Sequence, residues 1–180
     1  MKLRNYTILE YSKIKDVFVI DNLLKNLKEK NTFSNKEIDI LQLPYSTIKY
    51  VQKIFRKENF NFNDIAEIFV ILFEINKEQF YNSKITDFYH ANNYITNQFE
   101  LIAKNETQLA NSSNTDIGKW KASGGDNLEF FSEILGLHSI CERYGIYPFD
   151  LSLKPYSEIF YLQNMLKNYD EVNYKYNKQD

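Results

Sequence analysis

Two segments of the chain place apolar residues at helical spacing, and the two segments resemble each other. Residues 38–55 read IDILQLPYSTIKYVQKIF and residues 149–166 read FDLSLKPYSEIFYLQNML. In each, apolar residues follow the proline at steps of three and four, which gives one apolar stripe along a helix. Proline fits the first helical position because its missing N–H is not needed there and its φ is already helical. The pattern therefore predicts two helices that open with Pro-Tyr-Ser, at Pro44 and Pro155.

The two segments align without a gap at a constant offset of 111 positions. Seven of the eighteen aligned positions are identical, among them the whole Pro-Tyr-Ser triplet. An internal duplication would explain the match. Chance similarity in a chain rich in Asn, Lys and Tyr is the alternative, and the sequence leaves both open.

Capping boxes predict where other helices begin. A Ser, Thr, Asp or Asn followed three residues later by Glu occurs at 34–37, 64–67 and 126–129. The box at 64–67 opens IAEIFVILF, which is apolar on nearly every side and predicts a central buried helix. A buried strand is the competing interpretation, because β-branched and aromatic residues dominate the run. The helix that follows the box at 126–129 is predicted to end with a glycine stop at Gly145.

The longest predicted element covers residues 77–110, which contain neither Gly nor Pro. Phe88, Ile95, Ile102 and Leu109 recur at intervals of seven, as expected for a long amphipathic helix. We predict an interruption near residues 92–93. The flanking parts are weaker: residues 1–20 suit either short strands or an extended arm, 111–125 a loop, and 170–180 an extended polar tail. Together these elements predict a mainly α-helical single domain over residues 1–180, a bundle with one long amphipathic helix.

Composition narrows the function more than it identifies it. The chain has 180 residues, a formal net charge of −2, 14 Tyr, 14 Phe and one Cys. Charges of both signs are mixed, which argues against a nucleic-acid or membrane-surface binder that works through bulk electrostatics. No apolar run approaches the length of a membrane span, and MKLRNYTILEY has no signal-peptide core. So many tyrosines predict that some lie at a surface, where tyrosine favours contact with other proteins.

Candidate chemistry is sparse, and each pattern has a plainer explanation. His138 and Cys141 share a helix face at a spacing that metal ligands use, and Glu129 and Glu133 could share a cation or a proton. Residues 118–119 and 123–125 superficially suggest a phosphate loop, but the Gly-Lys-Ser/Thr order is missing. Packing, surface placement and a flexible loop explain these patterns better. We therefore predict no catalytic site, no metal and no cofactor.

Aromatic side chains are the preferred functional candidates. Tyr45 and Tyr156 each follow a helix-starting proline, and the alternatives for them are burial in the core or contact with other subunits. The residues predicted to form subunit contacts are Tyr45, Trp120, Tyr156, Phe160, Tyr174 and Tyr176.

The second half of the chain resembles a known class of protein. GKWKASGGDN is followed by a helix ending in HSICERYG, then LSLKPYSEIFYLQNML and a tail rich in Lys, Asn and Tyr. This order resembles small virion proteins of tailed bacteriophages, including the crass-like phages. The resemblance implies a non-enzymatic head-to-tail connector or ring subunit, made in the host cytoplasm and incorporated in the virion. Its partners would be copies of itself and portal or tail components.

The resemblance has a second implication, a cytoplasmic chaperone for tail or virion assembly. A small-ligand protein or an enzyme is a third class, and a deep pocket around His138, Glu133 and Cys141 would favour it.

Overall fold

A computed structural model of the chain describes residues 6–13, 24–111, 122–123, 127 and 132–177. The predicted mainly α-helical fold is confirmed: the described residues form eight α-helices and one two-stranded sheet. In chain order the elements are α1 Ile8–Tyr11, β1 Thr32–Phe33, β2 Lys36–Glu37, a 3-10 turn Ile40–Gln42, α2 Tyr45–Phe55, α3 Phe62–Phe73, α4 Lys77–Asn82, α5 Ile85–Asn111, α6 Ser132–Tyr144, α7 Pro148–Ser152 and α8 Tyr156–Asn177.

The sequence predicted one domain, and residue contacts divide the chain into two compact units. Unit 1 comprises Met1–Ile40 and Val51–Ile102, and unit 2 comprises Leu41–Tyr50 and Ala103–Asp180. The divisions fall inside α2 and α5, so each of these helices contributes residues to both units.

The core of unit 1 is a cluster of phenylalanines around α3. The ring of Phe69 lies 4.8 Å from Phe33, 5.3 Å from Phe80 and 5.2 Å from Phe88, measured between centroids. The central buried segment is a helix, as predicted, and the strand alternative is wrong. Its start is three residues earlier than the predicted box at 64–67. Asn61 is the N-cap and Asp64 closes the box by accepting the Asn61 N–H at 2.9 Å.

The predicted capping box at 34–37 is wrong, because these residues form a hairpin. Phe33 pairs with Lys36, and the two turn residues Ser34 and Asn35 have φ of 50° and 62°. Two consecutive positive φ values suit a tight two-residue hairpin turn, which Asn tolerates well. The hairpin places the Phe33 ring in the phenylalanine cluster. Burial of that ring contributes more than a helix cap would.

The long helix is interrupted before Ile85 rather than near residues 92–93. Its interruption lies where the N-terminal segment pairs with it: the Ile8 N–H donates to the Ser83 carbonyl and the Ile85 N–H to the Tyr6 carbonyl, both at 2.9 Å. Thr7, which caps α1, thus forms an antiparallel bridge with Lys84. The prediction of short strands or an extended arm at 1–20 is wrong at Ile8–Tyr11, which form α1. Residues 1–5 and 14–20 of that range lie outside the described part of the chain.

The predicted extended tail at 170–180 is wrong as far as Asn177, where α8 ends. No Gly or Pro interrupts residues 156–177, and Asp170 is held by an ion pair with Arg143 of α6. The predicted glycine stop is confirmed: Gly145 has φ of 64° and its N–H donates to the Cys141 carbonyl at 2.9 Å. Most of the predicted loop at 111–125 and of the box at 126–129 lies outside the described residues.

Candidate protein-interaction site

The two Pro-Tyr-Ser helix starts meet in unit 2 and pair with each other. The Tyr45 N–H donates to the Lys154 carbonyl, and the Tyr156 N–H donates to the Leu43 carbonyl, both at 2.9 Å. Pro44 and Pro155 face each other in this antiparallel bridge. The two donors, Tyr45 and Tyr156, are 111 positions apart, and so are the two acceptors, Leu43 and Lys154. This is the offset that relates the two segments in the sequence. The repeated segments therefore occupy equivalent positions in one local pair, defined here as the tyrosine pair.

Both prolines lie one position before the first helical residue, rather than at it. The Pro44 carbonyl accepts from the Ile48 N–H at 3.1 Å, and the Pro155 carbonyl from the Ile159 N–H at 3.2 Å. Proline is suited to this position because its own helix uses only its carbonyl, and the neighbouring residues supply the hydrogen bonds that join the two helix starts. Its missing N–H leaves no donor unsatisfied.

The rings of Tyr45 and Tyr156 stack in the interior of unit 2. Their centroids are 6.0 Å apart with planes 8° from parallel, and the two residues are only 4% and 3% exposed. Subunit contacts need accessible rings, so the prediction that these two tyrosines form them is wrong. The structure supports the alternative, in which both belong to the core.

A charged group lies against the tyrosine pair. One oxygen of the Glu106 carboxylate, Oε1, accepts from the Tyr156 hydroxyl at 2.7 Å and from Lys49 Nζ at 2.8 Å. Lys49 Nζ also lies 5.3 Å from the centroid of the Tyr45 ring. Burial, with a smaller effect from Glu106, raises the pKa of Tyr156 far above its ordinary value. The hydroxyl therefore keeps its proton and acts as a structural donor rather than as an acid or base.

Helix α6 approaches the tyrosine pair closely at Gly136. A Cβ placed on Gly136 would lie 3.1 Å from the Tyr45 hydroxyl oxygen. Gln163 of α8 fixes this approach, because its Nε2 donates to the Gly136 carbonyl at 2.7 Å. The pair thus holds the first turns of α8 on α2, α5 and α6 of the same unit.

Helix α8 is apolar on two sides. Its inner side carries Tyr156, Ile159 and Leu166, which are buried. The opposite side carries five large apolar or aromatic residues that are 37% to 71% exposed, within an arc of about 80° around the helix. These residues, called the outer face of α8 below, are Tyr161, Met165, Tyr169, Val172 and Tyr176.

The sequence identified only one residue of this outer face, Tyr176. The residues of the outer face follow one another at steps of four, four, three and four, which is helical spacing. This pattern was not followed beyond Tyr169, because the sequence predicted an extended tail there. A second exposed apolar set, called the connector patch, lies between α6 and α8 in the same unit. It consists of Ile146, Tyr147, Phe149 and Leu153.

The remaining residues predicted to form subunit contacts do not lie together on one surface of the described chain. Phe160 is half-buried and stacks on Tyr156 with centroids 6.0 Å apart, so it supports the core. Tyr174 and Tyr176 are exposed. Trp120 lies outside the described residues.

In the described part of the chain, the candidate metal-binding and acid–base residues do not come together in one site. The His138 ring is exposed and its Nδ1 lies 3.7 Å from Glu142, while burial raises the pKa of the Cys141 thiol. His90 contacts the Lys28 carbonyl. Across the described residues, no three His, Cys, Asp or Glu side chains are grouped to hold a metal ion. Glu129, the Glu133 side chain, residues 118–119 and the two glycines 124–125 lie outside the description.

In comparisons with known proteins, no protein family, no curated protein and no solved structure matches this chain. Within the described ranges, no helix combines the length and the apolar character that crossing a bilayer requires.

Proposed function

We propose that this chain is a non-enzymatic assembly protein whose outer face of α8 binds other protein subunits. The observation that carries the proposal is a row of exposed Tyr, Met and Val on a helix whose other side is already buried. Such area contributes about 25 cal/mol per Å² when a partner covers it. Tyrosine and methionine are the side chains that interfaces favour.

The specific form of the proposal comes from the sequence resemblance. The protein is a virion component of a tailed bacteriophage, a connector or ring subunit that contacts its own copies and portal or tail components. A ring subunit needs two different contact surfaces, because a surface that pairs only with its own copy closes the assembly at a dimer. The outer face of α8 and the connector patch provide two exposed apolar surfaces for this purpose.

The tyrosine pair supports the proposed role indirectly. It fixes the start of α8 through two backbone hydrogen bonds, the Tyr156–Glu106 bond and the Gln163–Gly136 bond. A surface built on a fixed helix loses less conformational freedom when it binds, which favours a defined geometry.

Sedimentation velocity over a tenfold concentration range tests the proposal. We expect the wild-type chain to form an assembly of more than one copy, and the variant Tyr161→Glu/Tyr176→Glu to lose it, because binding would bury two unpaired charges. Leu101→Glu is the matched control, since Leu101 is an exposed apolar residue on α5 outside both surfaces. Far-UV circular dichroism should be the same for all three proteins.

Two outcomes count against the proposal in different ways. An assembly that survives the double substitution removes the outer face from the interface. If the chain has the mass of a single copy at every concentration, the proposed role as a ring subunit is wrong. The second candidate, a cytoplasmic assembly chaperone, would then apply, since an exposed apolar face also suits the binding of an unassembled client.

A further inference from the structure

We infer that the outer face of α8 pairs with the outer face of a second copy of this chain, antiparallel and about a two-fold axis. The inference rests on the proposed function, and it names the partner for the same surface.

The spacing of the outer face is the same in both directions along the helix. With the exposed Asn168 included, the positions 161, 165, 168, 169, 172 and 176 follow at steps of four, three, one, three and four. A two-fold axis between residues 168 and 169 therefore places Tyr161 opposite Tyr176 and Met165 opposite Val172. In a two-fold interface each patch meets its own copy, so such a self-complementary order is what pairing requires. An unrelated partner would impose no such symmetry.

The charges near the two ends of the outer face favour the antiparallel direction. Glu158 is exposed near its N-terminal end, and Lys175 is exposed beside its C-terminal end. Antiparallel pairing brings opposite charges together at both ends, whereas parallel pairing brings like charges together. Lys175 lies about 6 Å along the axis from the position opposite Glu158, a distance that a lysine side chain spans. Antiparallel helix dipoles add to the preference.

The size of the patch predicts how strong the pairing is. Residues 161–176 extend over about 22 Å of helix, and the face is one helix wide. This is small beside a standard interface of about 1,600 Å². We therefore expect a reversible dimer whose population depends on concentration, and the connector patch remains available for contacts between pairs.

A charge-exchange experiment tests the pairing on the full-length chain by sedimentation equilibrium. Met165→Lys and Val172→Glu should each raise the dissociation constant by about tenfold or more, because each puts a charge against an apolar residue of the second copy. The double variant Met165→Lys/Val172→Glu should recover most of that loss. Across the two-fold axis its two new charges face each other with opposite sign, twice in every dimer.

The controls keep folding and location separate from pairing. Leu153→Lys changes an apolar residue of the connector patch that is 69% exposed, close to the 64% of Val172, and it should leave the dimer unchanged. Far-UV circular dichroism must show the same helix content for every variant, which all three substituted positions allow because these residues are at least 37% exposed.

The outcomes distinguish this inference from the proposed function. If the single variants dissociate the dimer and the double variant does not restore it, the outer face is an interface but the antiparallel pairing is wrong. If the chain associates regardless of these substitutions, both proposals are wrong. A single-chain mass over the whole range overturns self-pairing.

Discussion

Units 1 and 2 each contain a pair of helix starts joined by the same two backbone hydrogen bonds, and the pairs differ in their side chains. In unit 1 the first helical residues are Ile8 and Ile85, both buried and apolar. In unit 2 they are Tyr45 and Tyr156, whose stacked rings carry a hydroxyl to the Glu106 carboxylate. The donor–acceptor distances of 2.9 Å are the same in both pairs.

The two pairs share their backbone hydrogen bonds and differ in the interactions that their side chains add. The exchange satisfies one otherwise unpartnered N–H at each of two helix starts, and it requires no particular side chain. Isoleucines add only apolar burial. Tyrosines bring a hydroxyl inside, and that hydroxyl must be matched by an acceptor. We therefore expect the unit 2 pair to respond to ionisation and to close packing, and the unit 1 pair to respond to volume alone.

Truncating one ring or one aliphatic side chain has the largest expected effect. We expect Tyr156→Ala to lower the free energy of unfolding by about 4 kcal/mol, and Ile85→Ala by about 3 kcal/mol. The tyrosine costs more because its loss also removes the donor to Glu106. Urea denaturation of both variants measures the difference. A cost below about 2 kcal/mol for Tyr156→Ala would contradict the assigned importance of the stack.

Removing only the hydroxyl of Tyr156 measures what this group adds to the unit 2 pair. We expect Tyr156→Phe to cost about 1.5–3 kcal/mol near neutral pH, since the lost hydrogen bond has a charged acceptor. The pKa of Tyr156 is raised in the folded state, so its contribution is complete below about pH 10, where the unfolded tyrosine is still neutral. Above about pH 10 the unfolded state releases the proton first, and stability falls by up to about 1.4 kcal/mol per pH unit from this group.

Urea titrations between pH 8 and pH 11 check this slope. Tyr156→Phe should lose this part of the slope, whereas Ile85→Val, in the pair without an ionisable group, should keep the wild-type slope. Equal slopes in wild type and Tyr156→Phe would show that burial does not hold the proton.

Gly136 tests close packing, which only the tyrosine pair requires. A Cβ there crowds the Tyr45 hydroxyl at 3.1 Å, and we expect Gly136→Ala to cost about 1 kcal/mol despite the better helix propensity of Ala. In the Tyr45→Phe background the oxygen is gone, so the same substitution should stabilise by about 1 kcal/mol. A double-mutant cycle by denaturation gives the coupling. An equal effect in both backgrounds would exclude the hydroxyl as the constraint.

The smallest effects are expected at the residues that directly precede the first helical residue of each pair. Thr7→Ala removes the side-chain cap of α1 and should cost about 1 kcal/mol. Pro155→Ala removes no hydrogen bond and should cost about 0.5 kcal/mol through the freer unfolded chain. Hydrogen exchange of the Tyr45 amide checks that the pair is intact. Its loss of protection in Pro155→Ala would mean that the proline ring itself holds the pair together.

Local patterns predicted helix type and position where one strong signal dominated. The apolar run of α3, the glycine stop at Gly145 and the two Pro-Tyr-Ser starts are all present as helices or helix ends. The errors occurred where a tertiary contact competed with a local signal. The box at 34–37 became a hairpin because the Phe33 ring joins the phenylalanine cluster, and the long helix is interrupted where the N-terminal segment pairs with residues 83–85.

At the candidate site, too, the local sequence did not specify which surfaces become buried. The sequence singled out Tyr45 and Tyr156, but it could not say whether their rings faced a partner or each other. Burial depends on which elements pack against a helix, and Glu106 and Gly136 lie 50 and 20 residues before Tyr156. The outer face of α8 was missed because a polar composition after Tyr169 predicted an extended tail.

Local sequence is sufficient to specify a helical chain, two similar Pro-Tyr-Ser helix starts and an excess of tyrosine, because these depend on composition, propensities and spacing within a few residues. Three features are set by the packing of the folded chain: the two starts pair with each other, their tyrosines are internal, and a different row of residues along α8 is exposed. Those outcomes depend on contacts between residues far apart in the chain, and no local pattern specifies which of several apolar surfaces becomes covered.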